Sequence, residues 1–261
     1  LTFKIPYFYN IYLNTYHSKP ELNYRDFQKR YSQVKGASAV FVNDKKLNRF
    51  SNWAGLNSYF LNKPVDTLSY KFKRGRKFMT PKLNIGYIPS SKLFGETQRN
   101  KIFEDVWSSA KNNWILHTPD GNNLNISDRN VIKYKTTPKD GSSFDYSEIY
   151  KNSHVIINPE SIYHDDVDYS HSEYNLEAMS TGCVSICPNE HGTNSDYSFD
   201  KVHYFKLDFI DSNTLLDTLR YVDKRREKLD RMSHSGSQLI KKYYDVRKIA
   251  QQKIQVMKNS I

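Results

Sequence analysis

Long apolar runs are missing from this chain. None approaches the roughly 20 consecutive apolar residues that a helix needs to span a bilayer, so no transmembrane segment is expected. No stretch combines a basic start, an apolar middle and a small-residue cleavage site. That absence of a secretory signal predicts a cytoplasmic protein. It also leaves the acceptor-like triplet Asn125-Ile126-Ser127 without weight. Cysteine is scarce, with only Cys183 and Cys187. Four residues apart on a strand, their Cα atoms would stand about 13 Å apart, too far for a disulfide. No second ligand pair accompanies them for a metal. They read as two buried thiols in a reducing compartment. Internal repeats are absent too, and negative charge is in short supply. Against 39 Lys and Arg stand 28 Asp and Glu, a formal net charge of +11. Such a balance favours anionic partners: nucleotide phosphates, nucleic acid or anionic lipid. Much of the excess lies in Lys71–Lys77 and in the last forty residues.

Hydrophobic residues make up 38 % of the chain and aromatics 14 %, enough for a core and too much for a disordered protein. With 261 residues there is room for one large domain or two modest ones. Residues 1–35 are aromatic and polar, with one helix-like stretch from Tyr24 to Val34. Ala37–Val42 reads as a buried strand. Asn43 or Asp44 can cap a helix running to Trp53, and Gly55 ends it. Ser58–Leu61 reads as a further strand. The basic stretch Lys71–Lys82, broken by Gly75 and Pro81, is the best linker candidate.

Beyond Pro81 the pattern turns regular. Strands are expected at Leu83–Ile88, Trp114–His117, Val131–Tyr134, His154–Asn158, Cys183–Cys187 and Val202–Leu207. Helices are expected at Gln98–Lys111, Asp145–Ser153 and Glu173–Thr181, the last stopped by Gly182, with another starting at Ser212. Residues 243–261 form a terminal helix on the spacing of Val246, Ile249, Ile254 and Met257. Alternation of this kind means βαβ units and a parallel sheet, with ligands beyond the carboxyl ends of the strands. The loops after Ile88, His117, Tyr134, Asn158 and Cys187 should line one crevice.

Two elements there can carry chemistry. In Glu173-Tyr174-Asn175-Leu176-Glu177-Ala178-Met179-Ser180-Thr181-Gly182 a carboxylate near a helix start can accept both hydroxyls of a ribose, while helix N–H groups receive phosphate. In Ser90-Ser91-Lys92-Leu93-Phe94-Gly95-Glu96-Thr97-Gln98-Arg99, hydroxyls and cations can stabilise the charge of a departing diphosphate. Tyr134, at a strand end, can stack on a base. Asp166-Val167-Asp168, with His164 and His171 nearby, spells a short metal-binding pattern, but the helix that follows fits a site where cations and helix dipoles replace the metal. No metal and no separate cofactor is expected.

Leu176-Glu177-Ala178-Met179-Ser180-Thr181-Gly182-Cys183-Val184 resembles the "EAMA-G-PV" segment of retaining GT-B glycosyltransferases, and the units around Asn84–Ile88 and Tyr146–Pro159 are similar to that family. The Ser90–Arg99 loop looks like that of the T-even phage DNA glucosyltransferases. The resemblance covers residues 37–245 and is specific at the Glu177 helix. It implies an α/β GT-B fold: part of an acceptor-side Rossmann-like domain over 1–80, a nucleotide-sugar-binding Rossmann-like domain over 81–244 and a C-terminal helix over 245–261, which in the family often crosses back to the first domain. It implies that Glu177 holds the ribose, that Ser90 and Ser91 assist at the phosphates, and that Lys92 and Arg99 clamp them from the same side of the sheet. One departure stands out. The family's second glutamate, eight positions before Glu177, is here Tyr169, which leaves Asp168, His171 or Glu173 to contact the sugar. The expected activity is transfer of a sugar from a UDP-linked donor to a glycan, lipid-linked glycan, protein or modified DNA. The Lys-, Asn- and Tyr-rich composition fits an AT-rich genome such as that of a phage or a low-GC bacterium. The alternative is a non-catalytic nucleotide- or nucleic-acid-binding α/β module.

Overall fold

The computed structural model describes residues 8–11, 34, 36–42, 45–72, 80–88, 96–110, 113–121, 124–135, 137–138, 144–158, 173–188, 201–207 and 211–260. In chain order the elements are β1 (Phe8–Ile11), β2 (Ala39–Val42), α1 (Lys45–Trp53), β3 (Ser58–Phe60), β4 (Leu83–Tyr87), α2 (Glu96–Ala110), β5 (Trp114–Pro119), β6 (Val131–Tyr134), β7 (Thr137–Pro138), β8 (Phe144–Asp145), α3 (Ser147–Asn152), β9 (Val155–Ile157), α4 (Glu173–Thr181), β10 (Val184–Pro188), β11 (Tyr204–Leu207), α5 (Ser212–Lys224), α6 (Arg226–Tyr243) and α7 (Val246–Asn259). Two compact units result. One comprises Leu1–Pro64, Ile162–Ser170 and Tyr243–Ile261, the other Val65–Ser161 and His171–Lys242.

The first unit holds a three-stranded parallel sheet in the order β1-β2-β3. α1 is tied to β3 by amide side chains: Asn52 accepts from the Ser58 N–H and donates to its carbonyl, both at 3.1 Å, and the Ser58 hydroxyl donates to Asn48 at 2.9 Å. Gly55, at φ +84°, takes the left-handed conformation that ends α1. Ile249 of the terminal helix α7 packs with Ala39, Phe41 and Leu61. Asp245 caps α7, accepting from the Arg247 N–H at 3.0 Å.

The second unit is a six-stranded parallel sheet in the order β11-β10-β9-β4-β5-β6. The first three of these strands in sequence run outward from β4, and the next three run outward from β9 in the opposite sense. Right-handed crossovers then require helices on both faces. Register and packing agree. Leu83, Ile85, Tyr87, Leu116, Val155, Ile157, Val184 and Ile186 form one apolar core with Ile102, Phe103, Val106 and Trp107 of α2 and Leu215 and Leu219 of α5. Tyr87 stacks on Phe103 at 4.1 Å between ring centroids. Gly86 faces the other way, under α3. A Cβ built there would meet Ile156 Cδ1, Ser153 Oγ at 2.7 Å and Ile149 Cγ2 at 3.0 Å, so only glycine lets α3 settle this close.

Most expected elements are present, with α4 and β6 matching to the residue. Gly182, at φ +90°, closes α4 with paired bonds from its own N–H to Met179 O (3.1 Å) and from the Cys183 N–H to Ala178 O (2.9 Å). Cys183 and Cys187 are buried thiols. Four elements were not anticipated: β1, in a stretch read as aromatic and polar, the two-residue strands β7 and β8, and α6, which precedes the expected terminal helix α7. The inner stripe of α6 combines Leu229, Met232, Leu239 and Ile240 with Ser233, Gly236 and Ser237. Those small residues permit a close approach to α4: Ser233 Oγ donates to Gly182 O at 2.7 Å and Ser237 Oγ to Ser180 O at 3.3 Å. The helix expected at Tyr24–Val34 lies outside the described residues except at Val34.

Candidate functional site

In a sheet of this topology the crevice opens where the strand order reverses, above the carboxyl ends of β4 and β9. The two strands pair directly, Ile85 with Val155 and Tyr87 with Ile157, and the Ile88 N–H donates to Ile157 O at 3.1 Å beyond them. Chain leaves this edge from β4 towards α2 and from β9 towards α4. The N-termini of both helices therefore flank the crevice, with their N–H groups and positive dipole ends facing it.

α4 carries the most distinctive group. Glu177 is 4 % exposed. The hydroxyl of fully buried Tyr150, on α3, donates to Glu177 Oε2 at 3.3 Å. Burial, and next the negative charge of Glu177, push the Tyr150 hydroxyl well above the usual tyrosine range. Tyr150 therefore stays a donor at neutral pH and orients the carboxylate. A carboxylate this deeply buried needs such donors, because an unsatisfied one would pick up a proton. Two residues earlier, Asn175 is 1 % exposed. Its Oδ1 accepts from Ser185 Oγ of β10 at 2.7 Å, while its Nδ2 has no hydrogen-bond partner.

A second polar chain crosses β4, β5 and β6. The Asn84 amide nitrogen donates to Thr80 Oγ1 (3.1 Å) and Lys82 O (3.3 Å), so its Oδ1 faces His117 Nε2 as the acceptor at 2.9 Å. His117 then carries its proton on Nε2, and its Nδ1 accepts from the Tyr134 hydroxyl at 2.8 Å. Half-buried Tyr134 has its hydroxyl pushed up by burial first and by the charge of Glu148 second, against a hydrogen bond from Asn152. The polar end of Tyr134 is thus spent on the protein itself, and its ring sits tilted 38° to that of His117 at 5.7 Å.

Of the residues singled out in the sequence, Glu177 and Tyr134 are described in full. Arg99 is the fourth residue of α2 and Glu173 the first of α4; only their backbones are described. Ser90, Ser91, Lys92, His171, Tyr169 and the Asp166-Val167-Asp168 triplet lie outside the described residues. One expectation is corrected. Arg99 and Glu177 do not share a side of the sheet, since α2 packs on the Ile85 and Tyr87 face and α4, with α3, on the Gly86 face. The reversal of strand order at β4 and β9 forces this. What the two helices have in common is the crevice between their N-termini. Sequence reasoning missed Asn84, His117, Asn175 and Ser185. Their only signal was a polar residue interrupting an apolar strand or helix. Among the described residues no group of three His, Cys, Asp or Glu side chains can hold a metal, and no helix is long and apolar enough to cross a membrane.

No protein-family model matches the chain, and no curated protein matches it. Solved structures do. HepE of Anabaena, in complex with UDP, is similar over 97 % of this chain and 72 % of its own, at TM-score 0.71 and 13 % identity. The C-terminal domain of LpcC, a glycosyl transferase group 1 family protein of Francisella tularensis, is similar over 70 % of this chain and 99 % of that domain, at TM-score 0.51 and 14 % identity. TarM is similar over 97 % of this chain at TM-score 0.66 and 11 % identity, and the chain spans 50 % of its length. At such identities the likeness speaks to fold. The chain has an α/β fold with Rossmann-like parallel sheets, shared with GT-B glycosyltransferases.

Proposed function

We propose that the chain is a glycosyltransferase that takes a nucleotide-sugar, UDP-linked, as donor and passes the sugar to an acceptor. The observation that carries this reading is Glu177: a carboxylate held under cover by Tyr150, on the helix that follows the strand at the switch point. In this reading Glu177 accepts hydrogen bonds from the two ribose hydroxyls. Ser90 and Ser91, with the N-terminus of α2, receive the diphosphate, and Tyr134 forms part of the wall beside the base. Lys92 and Arg99 neutralise the leaving group. The bond between the sugar C1 and the diphosphate oxygen breaks with its electron pair going to that oxygen. The acceptor oxygen bonds to C1 and passes its proton to the departing diphosphate. Charge developing on the diphosphate is met by cations and helix N–H groups, without a metal. His171 and Glu173 contact the sugar in place of the carboxylate that Tyr169 replaces. The acceptor is a glycan, with modified DNA as the acceptor that the net charge of +11 also suits.

A thermal-shift screen against nucleotide-sugars tests the donor, since a ligand that binds only the folded state raises its melting temperature by mass action. UDP-sugars should stabilise the protein, and Glu177→Gln should weaken that binding by about 2 kcal/mol, the scale of a hydrogen bond to a charged group. A chain indifferent to every nucleotide-sugar, yet binding DNA in a salt-sensitive way untouched by Glu177→Gln, would be the non-catalytic module instead.

A further inference from the structure

In the first unit, the outward face of α1 carries a feature the proposed sugar transfer does not use. Trp53 is 82 % exposed and Phe50 is 40 % exposed, and their rings stack at 5.8 Å between centroids with 30° between planes. Ordinary soluble surfaces seldom leave two large aromatics together in water. The inward face of the helix is polar and engaged: Asn48 and Asn52 bond Ser58, and Ser51 is fully buried. The outward side carries exposed Arg49, Phe50 and Trp53, and Trp53 stands four residues from Arg49 and three from Phe50, spacings that set it beside both on the helix surface. α1 has three cations, Lys45, Lys46 and Arg49, and no acidic residue. The chain around it is basic too: residues 1–64 contain ten Lys and Arg against three Asp and Glu.

We propose that this face of α1 docks on the surface of an anionic lipid bilayer, lying in the interface plane. Tryptophan and phenylalanine beside lysine and arginine fit the boundary between headgroups and acyl chains, where a ring has apolar contact and a cation meets lipid phosphate. A neutral glycan stacking on the rings would have no use for the cations. A nucleic acid would not need apolar side chains standing this far out. The proposal does not depend on the donor reading, and its test leaves that reading untouched.

The chain has three tryptophans, and Trp107 and Trp114 are 2 % and 1 % exposed. Fluorescence changes on docking therefore report Trp53. With vesicles of phosphatidylcholine and phosphatidylglycerol, the full chain should co-sediment, its emission should shift to the blue, and acrylamide quenching should fall. Vesicles of phosphatidylcholine alone should do little. Trp53→Ala with Phe50→Ala should lower partitioning about tenfold or more, the scale of withdrawing large apolar side chains from an apolar phase. Arg49→Ala should lower it about fivefold, the equivalent of about 1 kcal/mol per basic residue at an anionic surface. All three side chains are exposed, so melting temperature and circular dichroism should stay unchanged. Co-sedimentation with unaltered Trp53 emission would overturn the proposal. So would loss of binding to anionic vesicles altogether, or the same blue shift produced by a soluble oligosaccharide or by duplex DNA.

Discussion

The two faces of the six-stranded sheet are built from the same strands yet differ in kind. Towards α2 and α5 the sheet presents Leu83, Ile85, Tyr87, Leu116, Val155, Ile157, Val184 and Ile186, joined to the helices by apolar contact. Towards α3 and α4 it presents Ile156 and Gly86 but also Asn84, His117 and Ser185, with His117 bonded to Asn84, Ser185 to Asn175 and Tyr150 to Glu177, all of them buried. A face needed only for stability has no reason to bury amides, an imidazole and a carboxylate, because each must recover in hydrogen bonds what it loses in hydration. The comparison assigns stability chiefly to the α2 face and the buried hydrogen-bonded groups to the other.

Substitutions can break that division. Phe103→Ala on α2 should be the most damaging, at about 3–5 kcal/mol, because it opens a cavity beneath Tyr87 and beside Trp107. Chemical denaturation gives the number. Gly86→Ala strikes the opposite face, and overpacking against Ile156, Ser153 and Ile149 should cost about 1–3 kcal/mol. Because α3 carries Tyr150, this variant should also weaken UDP-sugar binding, and a loss of stability alone would show that the helix shifts without disturbing Glu177.

A smaller test asks whether the buried polar pair supports the fold at all. Ser185→Ala deprives Asn175 Oδ1 of its donor while Nδ2 already lacks a partner, and about 1–2 kcal/mol should be lost. Adding Asn175→Leu removes the stranded amide, and most of that loss should return in a double-mutant cycle. Full additivity would mean the pair is not coupled.

What was legible in the sequence follows the same line. Apolar periodicity is written in consecutive residues, so α4, β6 and the Gly182 stop could be read directly. Glu177 was readable because it sits within a helix segment of recognisable spelling. The chain from Tyr134 through His117 to Asn84 was not, since it exists only once three strands adopt their register and brings together residues 33 and 17 positions apart. α6 carries an apolar stripe, Leu229, Met232, Leu239 and Ile240, that was passed over; what sequence does not state is that Ser233, Gly236 and Ser237 set its close contact with α4. The placing of Arg99 and Glu177 on different faces was likewise invisible: it is a property of strand order, which local sequence does not state.

The subtlest prediction concerns Tyr150. Tyr150→Phe keeps the ring and removes the hydroxyl bond to Glu177, which at 3.3 Å should contribute about 1 kcal/mol at neutral pH. Its dependence on pH carries the sharper information. Burial and the nearby carboxylate raise the phenol in the folded protein, while in the unfolded chain it ionises near the usual value of about 10. Below that pH both states hold the proton and its contribution is complete. Above it the unfolded chain sheds the proton while the folded one retains it, so stability falls as pH rises through the alkaline range. Melting curves from neutral pH to above about 10 should therefore descend more steeply for the wild type than for Tyr150→Phe. Parallel curves would mean that Tyr150 ionises as easily folded as unfolded, and that the covered environment ascribed to Glu177 is open to water.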